Sequence, residues 1–223
     1  MSHKSEAVNE TLRFPLGDAF EKDVTDFMEA HPDGDAELVI AVIDMDNFLH
    51  INENFGYEGG DQVLIDMGRQ LAADLPENAA IYRIAGDEFG ILFTGMEKEE
   101  VFLFMEQKRK SFSVKAPDGE EMTISVGIAA AFDDASRYQE LMRKADSAMY
   151  RAKYAGRNKV ALAREEKMVP KTSHYTSDQL KRLSTLSKRE GIGEAILLRE
   201  ALDMLLKKYP NYKEYRVQSA EYR

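Results

Sequence analysis

Ile81-Tyr-Arg-Ile-Ala-Gly-Asp-Glu-Phe-Gly-Ile-Leu-Phe93 sets two acidic residues in a tight turn between two apolar runs. Residues 81–84 and 89–93 are rich in β-branched and aromatic side chains, so both read as strands, and the Ala85-Gly86 pair between them supplies hairpin chemistry. Asp87 and Glu88 are then displayed at the head of the second strand. A hairpin tip with two carboxylates is, on its own, a solvated turn. Its meaning depends on what the rest of the chain brings beside it.

Upstream, residues 37–45 (ELVIAVIDM) form a near-continuous apolar run of strand length, the pattern of a central strand covered on both faces, with Asp44 and Asp46 at its C-terminal end. Residues 17–31 precede it as a helix with Phe20, Val24, Phe27 and Met28 on one face, ended by His31-Pro-Asp-Gly-Asp35. Residues 48–55 read as a short helix and Gly56-Tyr-Glu-Gly-Gly60 as a turn. A helix over 61–75 follows, with Val63, Leu64, Met67, Leu71 and Leu75 on one side. Downstream come an amphipathic helix over 98–110 and a Pro117-Asp-Gly119 turn between two strand-like runs, the second spanning 121–131. A helix over 136–155, stopped by Gly156, and a last strand at 160–162 complete this part. The alternation predicts an α/β fold, an α+β sandwich with a mixed central sheet flanked by helices.

The 223 residues suffice for one substantial core and a small appendage. The absence of cysteine removes disulfides and thiolate metal sites, leaving oxygen-ligated cations. No apolar signal region opens the sequence and no run reaches the ~18–20 residues of a membrane span, so a soluble, cytoplasmic protein without a membrane partner is expected. The net charge of −10 argues against general nucleic-acid binding. It is unevenly distributed: residues 1–164 are strongly acidic and residues 165–223 slightly basic.

Asp44-Met-Asp-Asn-Phe-Leu-His-Ile-Asn52, Gly56, Gly60-Asp61, Arg83-Ile-Ala-Gly-Asp-Glu-Phe89, Ser125-Val-Gly-Ile128, Ala145-Asp146 through Tyr150, Ala152-Lys153 and Gly156-Arg-Asn158 together resemble the GGDEF family of diguanylate cyclases. The likeness covers about residues 37–163, with the blocks in order and at family spacing. It implies a nucleotide-cyclase, palm-like sheet, and condensation of two GTP into cyclic di-GMP with release of pyrophosphate by a homodimer. Side-by-side carboxylates repel unless a cation sits between them, and a hard divalent ion suits oxygen donors. The resemblance implies that Asp44, the Met45 carbonyl and Asp87 or Glu88 hold two Mg²⁺ (or Mn²⁺) ions, with Asp87 helping to deprotonate the attacking 3′-hydroxyl. It further gives Asn52 and Asp61 to the guanine, Lys153 and Arg157 to the triphosphate, and the main chain of Asn47, Phe48 and Leu49 to an anion cradle. Gly86 lets substrate approach the backbone. An acceptor-only carboxylate at Asp61 complements guanine's adjacent N–H donors, so GTP is expected over ATP.

Three positions depart from the family pattern. Ala85 replaces the leading glycine, which costs of order 1–2 kcal/mol if φ there is positive. Leu49 stands where a phosphate-contacting lysine is usual, and the two positions of the product-inhibition motif fall on Pro76 and Ala79. A degenerate receptor for GTP or cyclic di-GMP is therefore the rival expectation.

The chain is expected to divide into a lead over 1–16, the cyclase domain over 17–164 and a tail over 165–223. Within the tail, Leu180, Leu183, Leu186, Leu197, Leu198, Ala201, Leu202 and Leu205 mark two amphipathic helices joined at Gly191-Ile-Gly193. With residues 171–175 before them, this tail resembles a ribbon-helix-helix module, an intertwined dimer that commonly binds DNA. Its ribbon positions Lys171, Ser173 and Tyr175 are not aliphatic and those facing the other way are Pro170, Thr172 and His174, which favours dimerisation over DNA reading. A nucleotide-sensing DNA-binding regulator, or a hairpin packed on its own catalytic domain, are the alternatives.

Overall fold

Alternation along one strand organises the architecture. The computed structural model describes residues 6–164, 171–190 and 193–208, and β1 (Leu38–Met45) is buried along its whole length. It is the middle strand of a five-stranded mixed sheet whose other members are β2 (Ala79–Ala85), β3 (Glu88–Thr94), β4 (Ile124–Ala130) and β5 (Val160–Leu162), in the order β2-β3-β1-β4-β5. Pairing is antiparallel except between β4 and β5. The helices of this part are α1 (Glu6–Leu12), α2 (Gly17–Ala30), α3 (Phe48–Ala72), α4 (Lys98–Ser111) and α5 (Tyr138–Tyr154).

Side chains alternate across a strand with period two. Val39, Ala41, Ile43 and Met45 join a core with Ile51, Leu64 and Met67 of α3 and Val101 and Met105 of α4. Leu38, Ile40 and Val42 join a second core with Phe20 and Val24 of α2 and Leu141, Ala145 and Met149 of α5. Each Val, Leu, Ile, Phe or Met side chain among them, fully buried, contributes about 1.5–3 kcal/mol. A one-residue slip would drive Asp44 into the first core, so the register is fixed. The contact between β4 and α5 is backbone to backbone at Gly127, where a Cβ would lie closer than 3.0 Å to Ala145 O and Met149 N. That closeness delivers the last turn of α5 to the end of β1.

Several boundaries differ from the sequence expectation. The segment expected to be a lead contains α1, whose Val8 is fully buried while Leu12 packs against the first core. The turn expected at 56–60 is reduced to a break at Gly56 (φ 70°, ψ −179°), where two helical stretches of α3 meet at a kink, and residues 57–60 belong to the second stretch. Gly60 serves close packing there, since a Cβ would fall within 3.0 Å of the Asn52 side chain. The first of the two runs expected to be strands around Pro117 makes only a Lys115–Glu121 bridge, and β4 begins at Ile124. At the hairpin Ala85 pairs with Glu88, so the turn residues are Gly86 and Asp87 rather than Ala85 and Gly86. Gly86 takes the positive φ (49°), the first turn position that calls for glycine in a II′ hairpin, and Ala85 does not. The strain considered for Ala85 is thus absent.

Residues 1–166 and 167–223 form separate compact units. In the second, α6 (Ser177–Glu190) and α7 (Glu194–Lys208) are the two expected helices. Thr176 and Gln179 cap α6 reciprocally, the Thr176 N–H donating to Gln179 Oε1 (2.9 Å) and the Gln179 N–H to Thr176 Oγ1 (3.2 Å). Residues 171–175 carry no strand. Pro170 and the Gly191-Ile192 part of the joint lie outside the described residues. No helix among the described residues is long and apolar enough to cross a membrane.

Candidate active site at the hairpin and the end of β1

The period of two places Asp44 on the α5 side of the sheet, behind Ile40 and Val42. The register then sets Glu88 of β3 and Ser125 of β4 opposite it, and the Gly86-Asp87 turn precedes Glu88. Asp44 is only 7% exposed. Burial, then the Asp87 charge, push its carboxyl up to about 7; Lys153 opposes the shift and Glu88 adds to it. The Asp87 carboxyl is also raised, chiefly by burial, against its own backbone hydrogen bond and the charges of Lys153 and Arg83. Lys153 Nζ, from the last turn of α5, forms an ion pair with Asp44 Oδ1.

Carboxylates that raise one another's proton affinity, and an all-oxygen donor set, fit a hard divalent cation. Among the described residues no three acidic or imidazole side chains already stand at ligand spacing. The seat is therefore an open one, of the kind Mg²⁺ fills with one or two carboxylates plus substrate phosphates.

Arg83 was not foreseen as a separate site residue. It is buried, its Nε and Nη2 donate to Gly86 O (3.2 and 2.7 Å), and its Nη1 donates to Asn9 Oδ1 (2.5 Å). The guanidinium thus holds the acidic turn from below and ties it to α1. Burial lowers its pKa while Asp61 and Asp87 favour the charge; burial raises the carboxyl of Asp61 and Arg83 opposes. Arg83 is the electrostatic link between the acidic turn and α3. There the Asn52 side chain lies against Gly60, next to Asp61, so the two expected guanine contacts share one stretch of helix.

At the start of α3, Asn47 is the N-cap in the left-handed region (φ 60°) and Phe48 packs against the core. Leu49 is 59% exposed. The first N–H groups of a helix have no intrahelical acceptor, which leaves them available to an anion. Arg157 lies just beyond α5, and its own N–H bonds to Ala152 O and Lys153 O.

Asp46 is the second group that sequence reasoning left without a role. It is 2% exposed and accepts from Thr123 Oγ1 (2.7 Å), Ser125 Oγ (2.8 Å) and the Asn158 N–H (2.9 Å). Occupied in this way, it fastens the end of β1 to β4 and to the loop after α5. The available signal was the Asp-Met-Asp spacing at the end of an apolar strand, where a second buried acid needs its own donors. An open cavity of about 440 Å³, lined by Asp66, Arg69, Gln70, Ser113, Val114 and Lys115, includes none of these groups.

A family model described as "Diguanylate cyclase, GGDEF domain" matches residues 18–159, and one described as "Ribbon-helix-helix domain" matches residues 168–210. The chain is 36% identical over 130 residues to the probable diguanylate cyclase DgcC of Escherichia coli K12, covering 57% of this chain and 35% of DgcC. It is 33% identical over 156 residues to the diguanylate cyclase DgcP of Pseudomonas aeruginosa, covering 68% of this chain and 22% of DgcP. It thus spans about a third or less of these curated relatives. Among solved structures, the GGDEF domain of YfiN (TpbB) from Pseudomonas aeruginosa superposes with a TM-score of 0.65 at 26% identity, over 70% of this chain and 99% of that one. The GGDEF domain of DgcB from Caulobacter crescentus, in complex with c-di-GMP, superposes with a TM-score of 0.62 at 25% identity, over 68% of this chain and 90% of that one.

Proposed function

Since the chain belongs to the GGDEF family of diguanylate cyclases, we propose that it condenses two GTP into cyclic di-GMP. Each 3′-oxygen attacks the α-phosphorus of the other nucleotide; two P–O bonds form, two break, and two pyrophosphates leave. The observation that carries this reading is the convergence of half-buried Asp87 and Glu88 on buried Asp44, held at a cost in charge repulsion that a pure binding site has no reason to meet.

Two Mg²⁺ or Mn²⁺ ions held by Asp44, the Met45 carbonyl and Asp87 or Glu88 would supply Lewis-acid stabilisation of the attacking and leaving oxygens. Asp87, in the turn, is the group that takes up the 3′-hydroxyl proton. Lys153 and Arg157 bind the triphosphate, together with the first N–H groups of Asn47, Phe48 and Leu49. Asp61 accepts from guanine N1–H and N2–H, and Asn52 supplies the complementary amide. Among the described residues, chain neighbours apart, no atom lies within 4 Å of where a Cβ on Gly86 would be, which leaves the turn clear for a nucleotide.

One site holds one GTP, so two copies of the chain face each other. The dimerising module is the unit over 165–223, with the catalytic domain over 17–164; the ribbon-helix-helix match supports this division. That match equally favours DNA as a second partner of the tail, which a nucleotide-dependent gel shift of the full chain tests.

The deciding experiment is incubation of the full chain with GTP and Mg²⁺ and identification of the product by mass spectrometry. Cyclic di-GMP with two pyrophosphates per product is expected, and its loss on Asp87→Ala. Tight binding of GTP or cyclic di-GMP without turnover would replace this reading with that of a receptor.

A further inference from the structure

Immediately after α5, three consecutive residues, Gly156, Arg157 and Asn158, take positive φ (105°, 62° and 48°). Glycine occupies that region freely and asparagine tolerates it, but arginine has no preference for it. A residue kept in a costly backbone conformation must be over-determined by its surroundings. Part of that determination is local: the Arg157 N–H bonds to Ala152 O (3.0 Å) and Lys153 O (3.2 Å). Part comes from β1, through the bond from the Asn158 N–H to Asp46 Oδ2 (2.9 Å).

The rest comes from α4, which contributes nothing to the carboxylate cluster. Glu106 grips Arg109 through two parallel bonds, Nε to Oε1 (2.9 Å) and Nη2 to Oε2 (3.0 Å). That fork leaves Nη1 directed outward, and it donates to Asn158 Oδ1 at 2.7 Å. The Arg109 and Glu106 side chains are 15% and 21% exposed, so packing holds the fork in place. A pair serving only α4 would need no third bond to a loop 49 residues away. Asn158 is therefore held from two sides, its main chain by the segment that carries Asp44 and its side chain by α4. Between Asn158 and the end of α5 sits Arg157, whose side chain makes no hydrogen bond or ion pair among the described residues.

We infer that Arg109 is a positioning residue for nucleotide phosphate: through Asn158 it latches the left-handed loop and so aims the Arg157 guanidinium at the triphosphate. The inference rests on the assignment of Arg157 in the function proposed above. It adds a residue on a helix remote from the acidic turn, and a route by which any partner touching α4 would change nucleotide affinity.

The test is calorimetric titration of the full chain with a non-hydrolysable GTP analogue and Mg²⁺, in a double-mutant cycle. Arg109→Met and Asn158→Gly are each expected to weaken binding about tenfold, the size of one coupling between neighbouring residues. Neither is expected to weaken it further when Arg157→Ala is already present. Asn158→Gly keeps both the Glu106–Arg109 pair and the main-chain bond to Asp46, and decides the matter if Arg109→Met does not fold. If Arg157→Ala leaves binding unchanged, the triphosphate assignment fails and the latch with it. If Arg157→Ala weakens binding but the other two do not, or weaken it equally in both backgrounds, the latch alone is overturned.

Discussion

Replacing Asp44 by asparagine should stabilise the metal-free protein at alkaline pH while removing its cation seat. The folded carboxyl is pushed up to about 7 from an ordinary 3.8, with burial as the main cause. Below pH 3.8 the group is protonated in both folded and unfolded chains and contributes no difference. As pH rises from about 4 to 7 the unfolded chain ionises first, and folding loses about 1.4 kcal/mol per unit, some 4 kcal/mol in all; above that range the loss is constant. Asp44→Asn removes the charge at nearly constant volume. The attraction of Lys153 is already contained in that net shift, since it is one of the causes that set the folded value. The net gain above pH 7 is then about 4 kcal/mol, or roughly 8–16 °C in thermal midpoint for a unit of this size. Thermal unfolding in EDTA at half-unit steps from pH 4 to 8 measures it, and the difference between wild type and variant isolates Asp44 from every other titrating group. Mg²⁺ should raise the midpoint of the wild type at pH 8 and leave that of the variant unmoved. A variant no more stable than wild type at pH 8, or a difference that does not grow between pH 4 and 7, would refute the reasoning.

Gly127→Ala is expected to cost about 3 kcal/mol or more, because the new Cβ meets main-chain atoms of α5 that cannot rotate away; an unchanged urea midpoint would contradict the contact. Gly60→Ala meets the end of the Asn52 side chain, which can move, so stability should fall by less than about 1.5 kcal/mol. Displacement of Asn52 should nonetheless reduce the preference for GTP over ATP in competitive binding, and a preserved preference would remove Asn52 from guanine recognition.

The parts of the fold legible in the sequence are those whose burial leaves a periodic trace. β1 reads as a central strand because both faces are covered, and α5 because its apolar positions recur at helical spacing and Gly156 stops it. Glycines defeated the same reasoning. Gly59-Gly60 resembles turn chemistry, yet these residues lie inside α3, and only tertiary contact reveals that Gly60 makes room for Asn52. α1 is too short, at seven residues, for a period to declare itself. At the site the acids were legible through their position at strand ends, whereas Arg83 and Asp46 act through partners distant in the sequence, Asn9 in one case and Thr123, Ser125 and Asn158 in the other. Lys153, expected to serve the triphosphate, is brought onto Asp44 itself.

The antiparallel pairing of β1 with β3 on one side and β4 on the other has a consequence for how the chain reaches its final form. Both neighbours come late: β3 begins at Glu88 and β4 at Ile124. A strand made in this order has two unpaired edges until Thr94 has been added and one until residue 130 has been made, and closing such long loops slows folding. The end of the β1–β3 ladder is its least favourable part, since it brings Asp44 beside Glu88 and buries the Asp44 carboxyl. The two carboxylates thus meet through β1–β3 pairing, while Lys153 reaches Asp44 only after α5, which follows β4, has been made, so the acids come together before the cation that offsets them.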